Sequence, residues 1–382
     1  MKVAKRRVKS VIRASAKNYG KSLLESNNTR GAWKFLRDVT FSNKSMEKSH
    51  LDPLKANDYF ANIVHSVDQP CTSAPATSDN VSAFQMRPLS VGQVRKLLSS
   101  IDSYTAAGYD ELPAFLLKEL ANELAPNLTK ILNRSILHGC FPDGWKKANV
   151  KAIWKGKGKK RDPANSRPIS VLPILGRLFE KAIADQLYQY CGEHQIIPQQ
   201  QFGFRKNSNC EMALLAATDD WMKAVDEGKL VGALLIDLSK AFDMVPHNLL
   251  IQELMKIGCD NLSLRWFDSY LSNRKQRVVT QSETMHWKDV GKGVPQGSGL
   301  SPLLFNIFVR EIPAESDSKT IQFADDITHS EASRCINEIV NKLTQSFIST
   351  KKFCEDCGLV INVDKTQFIV LHLGRTSTPT FP

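Results

Sequence analysis

The stretch "IQFADDITHS", Ile321 to Ser330, sets two adjacent aspartates, Asp325 and Asp326, behind an aromatic-apolar run and ahead of another apolar residue. Neighbouring carboxylates in or beside a strand repel each other, and burying them without a partner is costly. Two readings follow. Aspartate is common in turns, so the pair could sit solvated and inert at a hairpin tip. Otherwise a cation compensates them, and the chain must bring further ligands from elsewhere.

The second reading directs attention to another buried strand that ends in an acid. "LVGALLIDL", Leu230 to Leu238, is a continuous apolar run closed by Asp237, the pattern of a strand covered on both faces. Laid beside "IQFADD", it would gather three carboxylates at one spot. Such a set suits Mg2+, which takes a few carboxylates together with substrate phosphates. Two such ions about 4 Å apart can activate a hydroxyl and stabilise a leaving pyrophosphate in phosphoryl transfer. Between the two runs lies "GKGVPQGSGLSPLLFNIFV", Gly291 to Val309. Its glycines at 293, 297 and 299 allow close backbone approach to a ligand, and Gln296 can bond to a base or sugar. A helix is expected to begin near Pro302. By itself "PQG" is only a turn.

Bulk composition narrows the class. The 382 residues are 42% hydrophobic and 24% charged, which suits one large globular unit or two to three lobes. No apolar run reaches the ~18–20 residues needed to span a bilayer, and no signal peptide is expected. The eight cysteines are scattered, and only Cys354 and Cys357 form a CxxC pair, too little for a zinc site, so reduced thiols in cytosol or nucleus are expected. The net charge of +12 is concentrated. The first 22 residues carry eight Lys or Arg and no acid, and "KKANVKAIWKGKGKKR", Lys146 to Arg161, carries eight more. Acid-free blocks of this kind suit a polyanion such as nucleic acid, although the first would also fit a transit peptide. "YGKS" at 19–22 is not a phosphate-binding loop, because Ser15 stands where that motif needs glycine.

Along the chain, Ala32, Phe35, Leu36 and Val39 mark one face of a short helix in a basic arm, and "PCTSAPATSDNVS", from Pro70, reads as a linker. Helical periodicity follows in "LSVGQVRKLLSSI", in two segments of "GYDELPAFLLKELANELAPNLTKILNRSILHG", and in "ILGRLFEKAIADQLYQYC" and "MALLAATDDWMKAVDEG". The first of the two segments is expected to open at Asp110 with Pro113 in its first turn. "NVKAIW" and "QRVVTQ" read as strands, "NLLIQELMKIG" and "LSLRWFDSYLSN" as helices. Helices alternating with a few buried strands give a mixed α/β or α+β class.

The order of the pieces is more specific than any one of them. A strand ending in Asp237 with "AF" four residues on, then "GVPQGSGLSP" and its helix, then "FADD", resembles a reverse transcriptase of the non-LTR, LINE-class, jockey-like retrotransposons. "GCFPDGWKKANVKAIWKGKGKKRDPANSRPISVLPILGRLFEKAI", "QQQFGFRKNS", "YLSNRKQRVV" and "GLVINVDKTQFIV" agree in order, and the resemblance covers about residues 85 to 374. It implies a right-hand polymerase fold, with fingers and the start of the palm over 83–230 and the palm with the catalytic motifs over 231–374, preceded by a basic extension and linker over 1–82 and followed by a short truncated tail over 375–382. It implies an RNA-directed DNA polymerase that extends a DNA primer on an RNA template with deoxynucleotides, uses Mg2+ or in its place Mn2+, needs no membrane, and resides in nucleus or cytoplasm.

Residue by residue, the resemblance makes Asp237, Asp325 and Asp326 catalytic metal ligands and leaves Asp243 a local structural role. Phe242 would lie under the incoming sugar, where a ring collides with a 2′-hydroxyl. Arg167 in "SRPIS" and Lys155 would hold the triphosphate, with Lys151 a further candidate, since a guanidinium grips phosphate with two bonds. Gln296 and Gly297 would touch the nucleotide or template base, Arg205 would lie near the template, and Lys365 in "NVDKT" would donate a proton to pyrophosphate. Ser301, Ser166 and Thr105 depart from the family's usual Gly, Tyr and Lys. The family's primer-grip hairpin and helical thumb would follow "VDKTQFIVLHLG", where this sequence stops, so weak processivity is expected. The rival readings are a catalytically inactive nucleic-acid-binding remnant, and an RNA-dependent RNA polymerase or maturase-type relative.

Overall fold

The computed structural model describes residues 51–63, 83–280, 283–312 and 318–372, all within the compact unit Leu51–Pro382. The helix expected through Ala32 and Val39 and the linker from Pro70 to Ser82 lie outside them. Among the described residues, no helix is long and apolar enough to cross a membrane.

Two four-stranded sheets organise the rest. The first has the order β2-β1-β4-β5, from β1 (Lys147–Trp154), β2 (Ser166–Val171), β4 (Arg274–Val278) and β5 (Lys288–Val290). β1 and β2 are antiparallel, and β1 then runs parallel to β4, with Val150 opposite Val278. The second has the order β6-β7-β3-β8, from β3 (Leu230–Asp237), β6 (Lys319–Phe323), β7 (Asp326–Ser333) and β8 (Gln367–Leu371). All its pairings are antiparallel, and β3 is one of its two inner strands, which accounts for the unbroken apolar run. Gly232 in that run meets the side chains of Ile339 and Leu343 on the covering helix Ile336–Asp356, where a Cβ would lie 2.3 Å from Ile339.

The helices between the sheets bury one continuous apolar core. Helix Ile174–Glu193 contributes Phe179, Ile183 and Leu187, and helix Asn261–Leu271 contributes Trp266, Phe267 and Tyr270. Phe141 stacks on Phe179 at 6.0 Å and meets Trp266 edge-on at 5.4 Å, an arrangement aromatic quadrupoles favour. Helix Ser301–Phe308 is buried at every position but Pro302, which stands in its first turn.

Two local expectations shift. The first helix of the "GYDELPAF" segment is Ala114–Glu119, with Pro113 itself at the N-cap. Asp110 lies upstream and accepts a bond from the Leu112 amide instead. The strand expected at "QRVVTQ" begins earlier, at Arg274, because it pairs with β5 from there. A further helix, Pro53–Asn62, capped by Asp52, packs on the first sheet.

Candidate active site

β3 and β7 run side by side in a register that sets Asp237 directly opposite Asp326. Asp325 occupies the two-residue turn joining β6 to β7, so the hairpin-tip geometry is real; Asp325 is half-buried there and Asp326 beside it is exposed. Such tight turns call for a positive φ, normally met by glycine, and here Ala324 adopts φ +59°. Gln201 holds it there. The Gln201 side-chain oxygen accepts from the amides of Gly203 and Ala324 at 2.8 and 2.9 Å, and its amide donates back to the Ala324 carbonyl at 3.3 Å. Gly203 allows this approach, since a Cβ there would lie 2.2 Å from the Ala324 nitrogen. Asn306, buried on helix Ser301–Phe308, bonds the Gly203 carbonyl at 2.8 Å. The "QFGFR" segment is thus the backing of the aspartate turn. Its Arg205 donates to the carbonyls of Pro198 and Gln201, within its own loop.

Electrostatics mark the cluster. Burial first, and then the Asp237 charge, raise Asp325 above the ordinary carboxylate range; burial and the charges of Asp325 and Asp237 do the same for Asp326. Lys365 reaches into the group from the loop before β8 and donates to both Asp237 oxygens, at 2.8 and 3.2 Å. Among the described residues, no three His, Cys, Asp or Glu side chains converge on one ion-sized point. Mutually repelling carboxylates, one already neutralised by an ammonium, nevertheless fit a divalent cation that takes its remaining ligands from phosphate.

The aspartates open onto a cleft of about 600 Å3, whose lining also includes Lys155, Arg167, Lys240, Phe242, Gln296, Gly297 and Lys365. Phe242 is held as a rigid wall, stacked on Phe305 at 4.4 Å and edge-on to Phe204 at 5.9 Å. Arg167 stands exposed on β2. Lys155 donates to the Ala164 carbonyl at 3.0 Å, and burial, followed by the charges of Lys365, Arg167 and Lys240, lowers its pKa. Lys151 is exposed on β1.

The "PQG" turn is tied from two sides. The Gln296 amide donates to both oxygens of Asp243 at 2.9 Å, and its carbonyl accepts from the Ser170 amide of β2 at 2.7 Å. Gln296 therefore meets Asp243, and its side-chain donors are not directed at a base. Burial pushes Asp243 up to about 6, against the opposing effect of the Gln296 bonds. Gly297 has φ +125°, and a Cβ there would lie 2.5 Å from the Ser170 oxygen. Gly293 has φ +80° and presses on the Asp243 backbone in the same way. Gly299 has ordinary room, with its nearest protein neighbour at 3.8 Å. Sequence reasoning passed over Gln201, Asn306 and Lys240; the left-handed alanine that needs a backing was legible only once the hairpin was known.

A protein-family model described as "Reverse transcriptase (RNA-dependent DNA polymerase)" matches residues 158–380. Among curated relatives, the chain is 28% identical over 311 residues to "Probable RNA-directed DNA polymerase from transposon BS" of Drosophila melanogaster, covering 78% of this chain and 34% of that protein. It is 27% identical over 310 residues to "RNA-directed DNA polymerase from mobile element jockey" of the same organism, again 78% and 34%. A match to "Retrovirus-related Pol polyprotein from type-1 retrotransposable element R2" of Nasonia vitripennis reaches 26% over 223 residues, 58% of this chain and 20% of that one. The chain thus spans about a third of the length of the first two relatives. With the matched region covering the turn of Asp325, the strand of Asp237 and the "PQG" loop that faces them, this chain belongs to the reverse transcriptase family.

Proposed function

We propose that this chain is the polymerising part of an RNA-directed DNA polymerase, which extends a DNA primer 3′-hydroxyl with deoxynucleotides on an RNA template. The observation that carries the reading is the register of Asp237 opposite Asp326, with Asp325 in the adjoining turn, on a cleft that also holds Arg167 and Lys155. The sheet of β3, β6, β7 and β8 is the palm in this reading. The sheet of β1, β2, β4 and β5 belongs to the fingers, so fingers and palm interleave in the sequence around residue 231.

Asp237, Asp325 and Asp326 would hold Mg2+, or Mn2+ in its place, which would supply activation of the primer hydroxyl and charge neutralisation at the leaving pyrophosphate. The protein's own part is positioning. Arg167 grips the triphosphate with two parallel bonds, and Lys155 adds a point charge. Phe242, braced by Phe305, walls the sugar site and disfavours a 2′-hydroxyl. Lys365, released from Asp237, donates a proton to the departing pyrophosphate.

Primer extension on an RNA template tests this, with deoxy- and ribonucleotides supplied separately and an Asp325→Ala/Asp326→Ala protein alongside. Metal-dependent DNA product that the double variant fails to make is the expected result. Salt-sensitive RNA binding equal in both proteins, with no extension by either, would replace the reading with that of a nucleic-acid-binding remnant.

A further inference from the structure

The cleft has a wall outside the family-matched residues 158–380. Helix Pro53–Asn62 contributes Tyr59 and Phe60 to its lining, and Ile63 follows at the helix end. The helix is fixed in place. Phe60 is 3% exposed in a small core with Leu51, Ala56, Val150 and Val278. Asn57, 2% exposed, accepts from the Val278 amide at 2.9 Å and donates to the His286 carbonyl at 3.1 Å, while Asp58 pairs with Lys288 at 2.9 Å.

From this helix Tyr59 presents its ring to Lys240, whose ammonium lies 4.3 Å from the ring centroid. Lys240 stands three residues after Asp237 and takes φ +50°, a left-handed conformation that glycine or asparagine adopts at less cost. Among the described residues its ammonium makes no ion pair with an acid; its charge instead acts on Lys155, which it depresses, and on Asp243. Lys155, Arg167 and Lys240 therefore share one field beside the aspartates. An aromatic face orients a cation while leaving its N–H donors free for an anion.

We propose that Lys240 is a phosphate-binding residue of the nucleotide site and that Tyr59 positions it, so that helix Pro53–Asn62 is part of that site. The ligand chemistry is a phosphate, and the source is the triphosphate of the incoming nucleotide. The inference rests on the polymerase reading for its setting.

Single-nucleotide incorporation into saturating primer–template, with primer–template affinity measured in parallel, tests it. Lys240→Ala raises KM for the deoxynucleotide about tenfold with kcat within about twofold, the signature of lost uniform binding. Tyr59→Ala raises KM about threefold, in line with an exposed cation–π contact, and Tyr59→Phe restores it. The double variant Tyr59→Ala/Lys240→Ala is no worse than Lys240→Ala, because the ring acts only through the ammonium. An unchanged KM overturns the proposal, as do additive effects. A loss confined to primer–template affinity also overturns it, since the phosphate would then be the nucleic-acid backbone. If the wild-type protein extends no primer, the polymerase reading fails and equilibrium dialysis of a labelled deoxynucleoside triphosphate decides: weaker binding by Lys240→Ala sustains the proposal and equal binding ends it.

Discussion

The two sheets divide the chemistry between them. The sheet of β6, β7, β3 and β8 carries the aspartates on strands with buried interiors, and everything that sets their geometry is internal: the Asp237–Asp326 register, the Gln201 bonds to the turn, and a covering helix. The sheet of β2, β1, β4 and β5 carries cations, and many of them, including Lys151, Lys155 and Arg167, stand in solvent. Repelling carboxylates must be held together by a rigid scaffold, whereas cations that grip a flexible polyanion need reach more than fixity. Substitutions in the acidic sheet should therefore act on chemistry and stability, and those of exposed residues in the cationic sheet on affinity.

The largest effect should come from Asp237→Asn, which keeps the shape of the side chain and removes its charge. Extension is expected to fall by about a thousandfold or more, the scale on which electrostatic transition-state groups act. Nucleic-acid affinity should be retained. A fall of only a few-fold in turnover would mean that the register of β3 and β7 does not define the catalytic point.

The same sheet carries a pH dependence. His329 on β7 is fully buried, bonded to Thr320 and Thr350 on either ring nitrogen, and burial lowers its pKa to about 4. Its folded pKa is below the unfolded value of about 6.5, so the unfolded chain binds the extra proton between those values. Its contribution is complete above pH ~6.5, is lost as the pH falls, and levels off near pH 4, for a total of about 3 kcal/mol. Urea unfolding at pH 7 and pH 4 measures it, and a His329→Gln protein should lose that part of the slope. A slope unchanged in the variant would assign the acid sensitivity to the carboxylates.

What the sequence revealed follows the same division. The buried sheet was legible because burial on both faces writes itself as an unbroken apolar run, and a charged residue ending such a run is conspicuous. Asp237, Asp325 and Asp326 were singled out as candidates that way, and Phe242 and Arg167 through the order of motifs. Of the exposed sheet, β1 and part of β4 were read as strands at "NVKAIW" and "QRVVTQ", but their pairing was not legible. β1 pairs in parallel with β4, more than a hundred residues later, and its half-exposed, lysine-rich strands show no such run. Gln296 differs for another reason: a polar side chain beside glycines looks free for a ligand, and only the fold shows Asp243 against its amide. Tyr59 lay in a segment read as extension, since nothing local tells a helix that docks from one that does not.

Gln201→Ala probes the scaffold without touching a charge. It leaves the Gly203 and Ala324 amides without their acceptor and the left-handed Ala324 without its hold. A loss of about 2 kcal/mol is expected from the orphaned buried donors, with kcat falling and KM for the nucleotide little changed. Loss of stability with kcat intact would show that the aspartate turn keeps its shape unaided.

The smallest effect should come from the exposed sheet, and it separates the two sheets most cleanly. Arg167→Ala removes a solvent-facing side chain from β2 and should leave the melting temperature where it was. It should raise KM for the deoxynucleotide by about tenfold, the worth of one charge-assisted phosphate contact. Buried Arg274, in β4 of the same sheet, donates to the Tyr270 carbonyl at 2.9 Å and lies over the Tyr270 ring. Arg274→Ala should therefore lower stability and leave KM alone. If Arg167→Ala also destabilised the fold, exposure would not be what distinguishes the cationic sheet from the acidic one. The contrast would then rest on charge sign alone.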